Sequence, residues 1–330
     1  MWLINIPVVL IWLWQALRAR HPFFFTTANP TIPTGGLLGE SKWEILRAIP
    51  KAYLPATTLI QTGTSAQQLR QQLAEAGIGF PAIAKPDIGE RGRCVVKVHH
   101  FGELWQYHRH MHVPYLVQAF VDAPEEYAIL YWRLPEQSCG QITSLCIKKY
   151  LSVKGDGRRS VAELMAHNPR ASLQLNRMQQ QKPQLMQYVP RHGEEVLIEP
   201  IGNHCRGAMF LNGNHLIDDQ LTAVFDRISL AMQHMYYGRF DLKCRSIESL
   251  RQGQFKILEF NGIAGEPAHI YDPSIPLYKK YYTIWQHWQI LLRIYRVQQK
   301  RGVAPMSASE FWQYVNRYLA YKCATDELTD

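Results

Sequence analysis

"YGRFDLKCRSIESLRQGQFKILEFNG", residues 237–262, sets Asp241 inside one apolar run, then Glu259 and Asn261 inside the next. In an extended strand, residues two apart point to one face, so Glu259 and Asn261 project together with Phe260 on the other side. The polar stretch RSIESLRQGQ between the runs suits a connection between antiparallel strands. Pairing those strands gathers three oxygen-bearing side chains, the donor type that hard cations such as Mg²⁺ prefer and share with substrate phosphates. An ordinary exposed strand face carrying acids would present the same residues.

At 330 residues the chain can bury a full core in one large or two modest domains. Hydrophobic residues make up 47% and charged residues 19%, a globular composition without low-complexity tracts or internal repeats. A formal charge of +9 favours phosphorylated ligands, nucleic acid or an anionic membrane surface. No aromatic-and-basic module of a known nucleic-acid binder is present, so no nucleic-acid partner is expected. Cys94, Cys139, Cys146, Cys205, Cys244 and Cys323 are scattered without a CxxC pair, which points to reduced, cytosolic surroundings. No close His/Cys pair has zinc-ligand spacing.

Residues 2–17 are mostly apolar, interrupted by Asn5, Pro7 and Gln15. They fall slightly short of the roughly 20 residues of a spanning helix. Arg18 and Arg20 follow the apolar stretch, the reverse of a cleaved signal peptide. With Trp2, Trp12 and Trp14, residues 1–20 are expected to associate with a membrane from its cytoplasmic side, as a short span or an in-plane helix. A soluble helix packed on the body of the protein is the alternative.

Residues 22–41, rich in Pro, Gly and Thr, read as an extended connector, after which Ser41 caps a short helix, KWEILRAIP. The runs LPATTLI, FPAIAKP, CVVKVHH, YLVQAFV, YAILYWRL, ITSLCIKKYLSV, EVLIEPIG and GAMFLN read as strands. SAQQLRQQLAEAG, residues 158–187 and LTAVFDRISLAMQHMY read as helical. Strands and helices mix without regular alternation, so the expected class is α+β. In the tail, Ile284, Trp285, Trp288, Leu291, Leu292 and Tyr295 recur at helical spacing among Arg293, Arg296, Lys300 and Arg301. Such a stripe faces a core or rests on a membrane.

In AIAKPDIGERGRCVV, residues 82–96, Lys85 ends an apolar run, and Gly89 and Gly92 bracket a loop before the next. Glycines let backbone N–H groups approach an anion and a nearby lysine adds charge, although a hairpin turn with exposed charges has the same outline. The lysine precedes the glycines, so this is not the GxxxxGK[ST] phosphate loop. Lys85-Pro86, Gly89, Gly92-Arg93 and Val95 resemble the KPxxGxxGRxV segment of ATP-grasp enzymes, in particular cyanophycin synthetase-like and D-alanine–D-alanine ligase-like members. VKGDGRRSVAEL, residues 153–164, resembles the VGDG segment and helix start of cyanophycin synthetases. GRFDL and ILEFNGIAG resemble the ligase GRxD and LExNxxxG segments. The similarity covers about residues 40–265 and implies an ATP-grasp fold, two α+β subdomains clasping ATP.

By that resemblance Asp241, Glu259 and Asn261 hold Mg²⁺, or Mn²⁺ in its place, while Lys42 and Lys85 reach ATP phosphates. The loop from Gly89 to Gly92 folds over those phosphates. VQAFV, residues 117–121, is the adenine hinge, with Gln118, Phe120 and Val121 against the nucleotide. Glu125 or Glu126 binds ribose, and Lys148 or Lys149, with Lys149 preferred, adds a basic contact. Arg239 stabilises developing negative charge. The chemistry implied is phosphoryl transfer from ATP to a carboxylate, giving an acyl phosphate that an amine opens to an amide-type bond.

The resemblance divides the chain into an apolar helix (1–20), a connector with a reduced N-terminal part (21–75), an ATP-grasp core (76–265) and a substrate-proximal loop with a helical tail (266–330). Only 41 residues precede Lys42, too few for the N-terminal domain of such ligases, and no Mur-like domain follows. D-alanyl-D-alanine and cyanophycin are therefore not the expected products. IGNHCRGAMF offers His204 and Arg206, and GIAGEPAHIYDP offers Glu266, His269, Tyr271 and Asp272 beyond the metal positions. Arg206 is expected to grip a carboxylate or phosphate and His269 to move a proton, unless the histidines are structural. The leading expectation is a membrane-associated carboxylate–amine ligase acting on small-molecule or lipid-linked substrates. An ATP-grasp kinase or a non-catalytic nucleotide-binding protein is the alternative.

Overall fold

A computed structural model describes residues 2–89, 92–200, 202 and 206–326. The chain order is α1 (Trp2–Ala19), α2 (Lys42–Ala48), β1 (Thr57–Ile60), α3 (Ala66–Glu75), β2 (Ala82–Pro86), β3 (Val96–Val98), α4 (Phe101–His110), β4 (Tyr115–Ala119), β5 (Glu125–Trp132), β6 (Gln141–Lys149) and β7 (Leu151–Lys154). It continues with α5 (Val161–Ala166), α6 (Leu175–Gln181), α7 (Pro183–Gln187), β8 (Glu195–Glu199), β9 (Met209–Asn212), α8 (Asp219–Ala231), β10 (Tyr237–Cys244), α9 (Ile247–Arg251), β11 (Phe255–Asn261), α10 (Leu277–Lys300) and α11 (Ala308–Asp326). The strands form antiparallel sheets in the orders β1-β4-β2-β3, β11-β10-β5-β6-β9 and β7-β8. The mixture of helices and antiparallel sheets agrees with the α+β expectation.

Period-two alternation sorts the five-stranded sheet into two faces. Tyr127, Ile129 and Tyr131 of β5, with Leu145, Phe240, Leu242 and Ile257, pack against Ile45 and Leu46 of α2 and Val224, Phe225 and Ile228 of α8. The alternate β5 positions Leu130 and Trp132 share a core with α10 on the other face, where Glu126, Lys148 and Asp241 are also buried. The four-stranded sheet buries Ala82, Ala84, Tyr115 and Val117 against Leu69 and Leu73 of α3 and Leu104 of α4. A smaller core joins β7 and β8 to α5, α6 and α7.

Two stretches differ from the sequence reading. ITSLCIKKYLSV is two strands, because the chain leaves the large sheet at Tyr150 to pair β7 with β8. Residues 22–41 are not an extended connector: Phe24–Ala28 and Pro33–Gly35 form tight 3-10 turns, and Phe24, Phe25 and Ala28 are buried with Ala19 of α1 and Ile290, Leu291 and Ile294 of α10. The physical reason is a long-range one. Asn29, fully buried, donates through Nδ2 to the carbonyls of Gly35 (2.9 Å) and Tyr237 (2.8 Å) and accepts at Oδ1 from the backbone N–H groups of Tyr236 and Tyr237. That one side chain ties the segment to the start of β10.

Candidate active site

The β10–β11 register sets Asp241 opposite Glu259 and Arg239 opposite Asn261, so these four side chains share one face, as strand periodicity predicts. The connection between the two strands holds the short helix α9, capped by Ser246. A β-bulge at Leu258 interrupts the ladder: Glu259 pairs with Asp241 while Ile257 already pairs with Leu242. The carbonyl of Leu258 accepts a hydrogen bond from Lys85 Nζ at 2.9 Å. Lys85 comes from β2, so the bulge is where the two larger sheets meet around the acids.

Cations surround the carboxylates. Arg239 Nε lies 2.9 Å from Asp241 Oδ1, and its Nη2 lies 3.3 Å from Oδ2. Lys148 Nζ lies 3.3 Å from Asp241 Oδ2 and 2.9 Å from Glu126 Oε1, and Tyr150 donates to Glu126 at 2.7 Å. Burial works against a charge on Asp241, but Arg239 and Lys148 outweigh it and hold its pKa below the usual carboxylate range. Lys42, the first residue of α2, donates to the Gly89 carbonyl at 2.5 Å and lies 3.8 Å from Glu259. Lys85 also donates to Gln118 Oε1 at 3.1 Å, and burial lowers its pKa to about 8.

The remaining expected residues separate into those beside the Asp241–Glu259 cluster and those away from it. Glu126 lies on the face of Lys148 and Asp241, whereas Glu125 accepts from Tyr127 on the side of the α2 and α8 core. Lys148, not Lys149, turns inward; adjacent strand residues point oppositely, and Lys149 is exposed. In residues 117–121, expected to be the adenine hinge, the N–H groups of Ala119 and Phe120 are bonded to the carbonyls of Ala56 and Pro81, and the Phe120 ring lies under Lys97 Nζ at 3.7 Å. Gln118 contributes its side chain instead, between Lys85 and Thr57.

Arg206 reaches the glycine loop. Its Nη2 donates to the Gly92 carbonyl at 2.5 Å, and its Nη1 lies 3.8 Å from Glu199, which Arg177 also pairs at 2.9 Å. This long side chain thus ties the exit of the loop to the small β7–β8 subdomain. His269 is buried on Ser144, Nδ1 to Oγ 2.7 Å, and burial pushes its pKa down to about 4. A neutral imidazole held this way anchors the 268–271 turn to β6 and is a poor base near pH 7, which argues against the proton-moving role expected of it. Glu266 accepts from Tyr271, and Asp272 caps the turn before α10 and accepts from the Asn212 N–H at 2.7 Å. Of the expected loop and substrate residues, Glu90, Arg91 and His204 lie outside the described residues.

Some residues of the site escaped the sequence reading. Asp87 Oδ1 accepts from the Trp43 N–H at 2.8 Å and from Ser41 Oγ at 3.0 Å, pinning the N-terminus of α2 and with it Lys42. Lys243, buried near Phe120 and Tyr150, is two residues beyond Asp241 on the same face, and strand periodicity in GRFDLKC carried that signal. Tyr150 had no local signal.

Among the described residues no cluster of three or more His, Cys, Asp or Glu side chains could cage a metal by itself. Two carboxylates and a carboxamide fit a different arrangement, a hard cation that draws its other ligands from a phosphorylated compound and water. Asn261 Nδ2 is buried without a hydrogen-bond partner among the described residues, a donor left over for an anionic ligand. The donor set therefore fits Mg²⁺ bound together with phosphate oxygens.

No protein-family model matches the sequence, and no curated protein does. Among solved structures the chain is similar to the VanG D-Ala:D-Ser ligase from Enterococcus faecalis, with a TM-score of 0.45 at 11% identity over 80% of this chain and 63% of that one. It is also similar to a bifunctional glutathione synthetase from Pasteurella multocida, with a TM-score of 0.40 at 15% identity over 74% of this chain and 35% of that one. The chain spans less than two thirds of the length of either protein.

Proposed function

We propose that the chain is an ATP-grasp ligase that uses Mg-ATP to join a carboxylate to an amine. The supporting observation is convergence: Lys42, Lys85, Lys148 and Arg239, from four separate elements, surround Asp241 and Glu259 where the two larger sheets meet. Lys85, Arg239, Asp241 and Glu259 come from the segments whose sequences resemble ATP-grasp enzymes. When bound, Mg-ATP would supply the phosphoryl group that turns a carboxylate into an acyl phosphate, leaving ADP, and an amine would then displace inorganic phosphate to form the amide-type bond.

The chain's own residues supply charge and alignment. Asp241, Glu259 and the Asn261 carboxamide would hold the cation. Lys42 and Lys85 neutralise phosphate oxygens, and the glycine loop from Gly89 to Gly92, bracketed by Lys42 and Arg206, covers them. Gln118, Phe120 and Val121 border the purine, and the backbone N–H of Val121 serves as its donor, since those of Ala119 and Phe120 are bonded to Ala56 and Pro81. Glu126 binds ribose. Arg239, fixed on Asp241, faces the charge that develops at the reacting centre. The substrates are small-molecule or lipid-linked, and the need for ATP puts the reaction on the cytoplasmic side of a membrane.

The test is release of ADP and inorganic phosphate by purified protein with Mg-ATP and pooled carboxylates and amines, beside Glu259→Gln. Equal amounts of ADP and phosphate, dependent on one pool and absent from the variant, are expected. ADP without free phosphate would replace the ligase by a kinase. ATP binding without turnover on any pool would favour a nucleotide-binding protein.

A further inference from the structure

We infer that α1 and the exposed edge of α10 form an in-plane docking surface for an anionic lipid bilayer, independently of the chemistry proposed at Asp241 and Glu259. In a helix at the surface of a soluble protein, apolar residues face inward and polar ones outward. Helix α1 reverses this. Gln15 is fully buried, while Leu10 is 61%, Trp14 57% and Leu17 73% exposed. Leu13 and Val9 are exposed beside them, so the spacing 10, 13, 14, 17 makes one outward apolar face.

The inward face is already occupied. Ala19 is buried with α10, Tyr295 donates to the Ala19 carbonyl at 3.3 Å, and Trp12 and Ala16 pack on the same core. No described helix is long and apolar enough to cross a membrane. A helix held along one side by the folded body, with its other side apolar, lies in the interface rather than across it.

Charge selects the occupant. Arg18, at the edge of the apolar face, donates to Gln289 Oε1 at 2.9 Å, which joins the outer edges of α1 and α10. One turn before Gln289 stands Trp285, exposed and stacked on Tyr282, and one turn after it stands the exposed Arg293, followed by Arg296. Aromatic side chains beside arginines are the composition of a lipid headgroup boundary. A second copy of the chain would bring a formal charge of +9 against +9 and Arg18 near its own equivalent. An anionic bilayer complements both features.

Flotation of the full chain with phosphatidylcholine vesicles, with and without phosphatidylglycerol, tests this. Binding to the anionic vesicles is expected, and a fall of at least about tenfold in the variant carrying Leu10→Glu, Leu13→Glu and Leu17→Glu, with ATP binding unchanged. So that a folding defect is not mistaken for lost docking, a second readout uses bromine-labelled phosphatidylglycerol: Trp14→Phe is expected to remove part of the quenching of indole fluorescence. No flotation of the parent chain, equal flotation of the triple variant, or quenching untouched by Trp14→Phe would each overturn the inference. A dimer in solution that the triple variant dissolves would also overturn it, in favour of contact between copies.

Discussion

Lys148 is enclosed by Glu126 and Asp241 on the site face of β6. Burial alone would lower its pKa, but the charges of Asp241 and Glu126 more than offset this and raise it. Replacing it by methionine keeps the volume but leaves two buried carboxylates short of a partner, so Lys148→Met should cost about 3–5 kcal/mol. Lys149→Met, one residue away on the exposed side, should stay within about 0.5 kcal/mol. Denaturant unfolding of the two variants measures both. Glu259→Gln should instead keep the fold, since Glu259 is only half-buried, and lower turnover on the order of 100-fold or more in the ADP-release assay. The acids were legible in the sequence because strand alternation and a single hairpin-like connection are local facts. Which of Lys148 and Lys149 faces Asp241 was not legible, since that depends on which face of the sheet the rest of the chain covers.

At the level of elements, the stretch that follows Asn261 is fixed by contact with the segment read as a connector. The N–H groups of Ile263 and Ala264 donate to the carbonyls of Gly35 and Gly36, at 3.1 and 2.8 Å. A Cβ on Gly262 would come 2.4 Å from the Gly35 carbonyl oxygen, and one on Gly36 would come 2.8 Å from the Gly262 Cα. Both obstacles are backbone, so Gly262→Ala must push the two segments apart, and the displacement begins one residue from Asn261. The expected outcome is a loss of about 1–3 kcal/mol in stability, with a fall in turnover exceeding what that instability explains. Arg206→Ala tests a different link. It frees the exit of the glycine loop at Gly92 while leaving the face of Asp241 and Glu259 intact, so under the proposed function the KM for ATP should rise several-fold with a smaller change in kcat. Most strands were readable from their apolar runs. The 22–41 segment was not, because Pro, Gly and Thr mark a connector by composition, while its burial rests on hydrogen bonds from Asn29 to residues 207 and 208 positions away.

Across the whole molecule, α10 closes the same sheet face that carries the site, and it does so over two neutral histidines. His287 is buried against the Tyr237 hydroxyl at 3.0 Å, and burial, with some help from His269, lowers its pKa to about 3. His269, on Ser144, is lowered to about 4, again chiefly by burial, with Asp272 opposing. In the unfolded chain both imidazoles take up a proton near pH 6.5. Below that pH the unfolded state binds more protons than the folded one, so the stability present above it is lost as the pH falls toward the folded values. Once well below about pH 6.5 each histidine contributes a slope of up to about 1.4 kcal/mol per pH unit. Asp241, whose pKa is depressed, has the opposite origin but the same direction: its contribution is complete above the ordinary carboxylate value and is lost only in stronger acid. The window between about pH 5 and about pH 6.5 therefore belongs chiefly to the buried histidines. Unfolding free energies measured through that window should fall with acid in the parent chain, and His287→Gln should flatten the slope by about half even if it lowers stability at neutral pH. An unchanged slope in that variant would mean that α10 does not hold its histidine neutral, and that the packing of α10 on the site face differs from the one described.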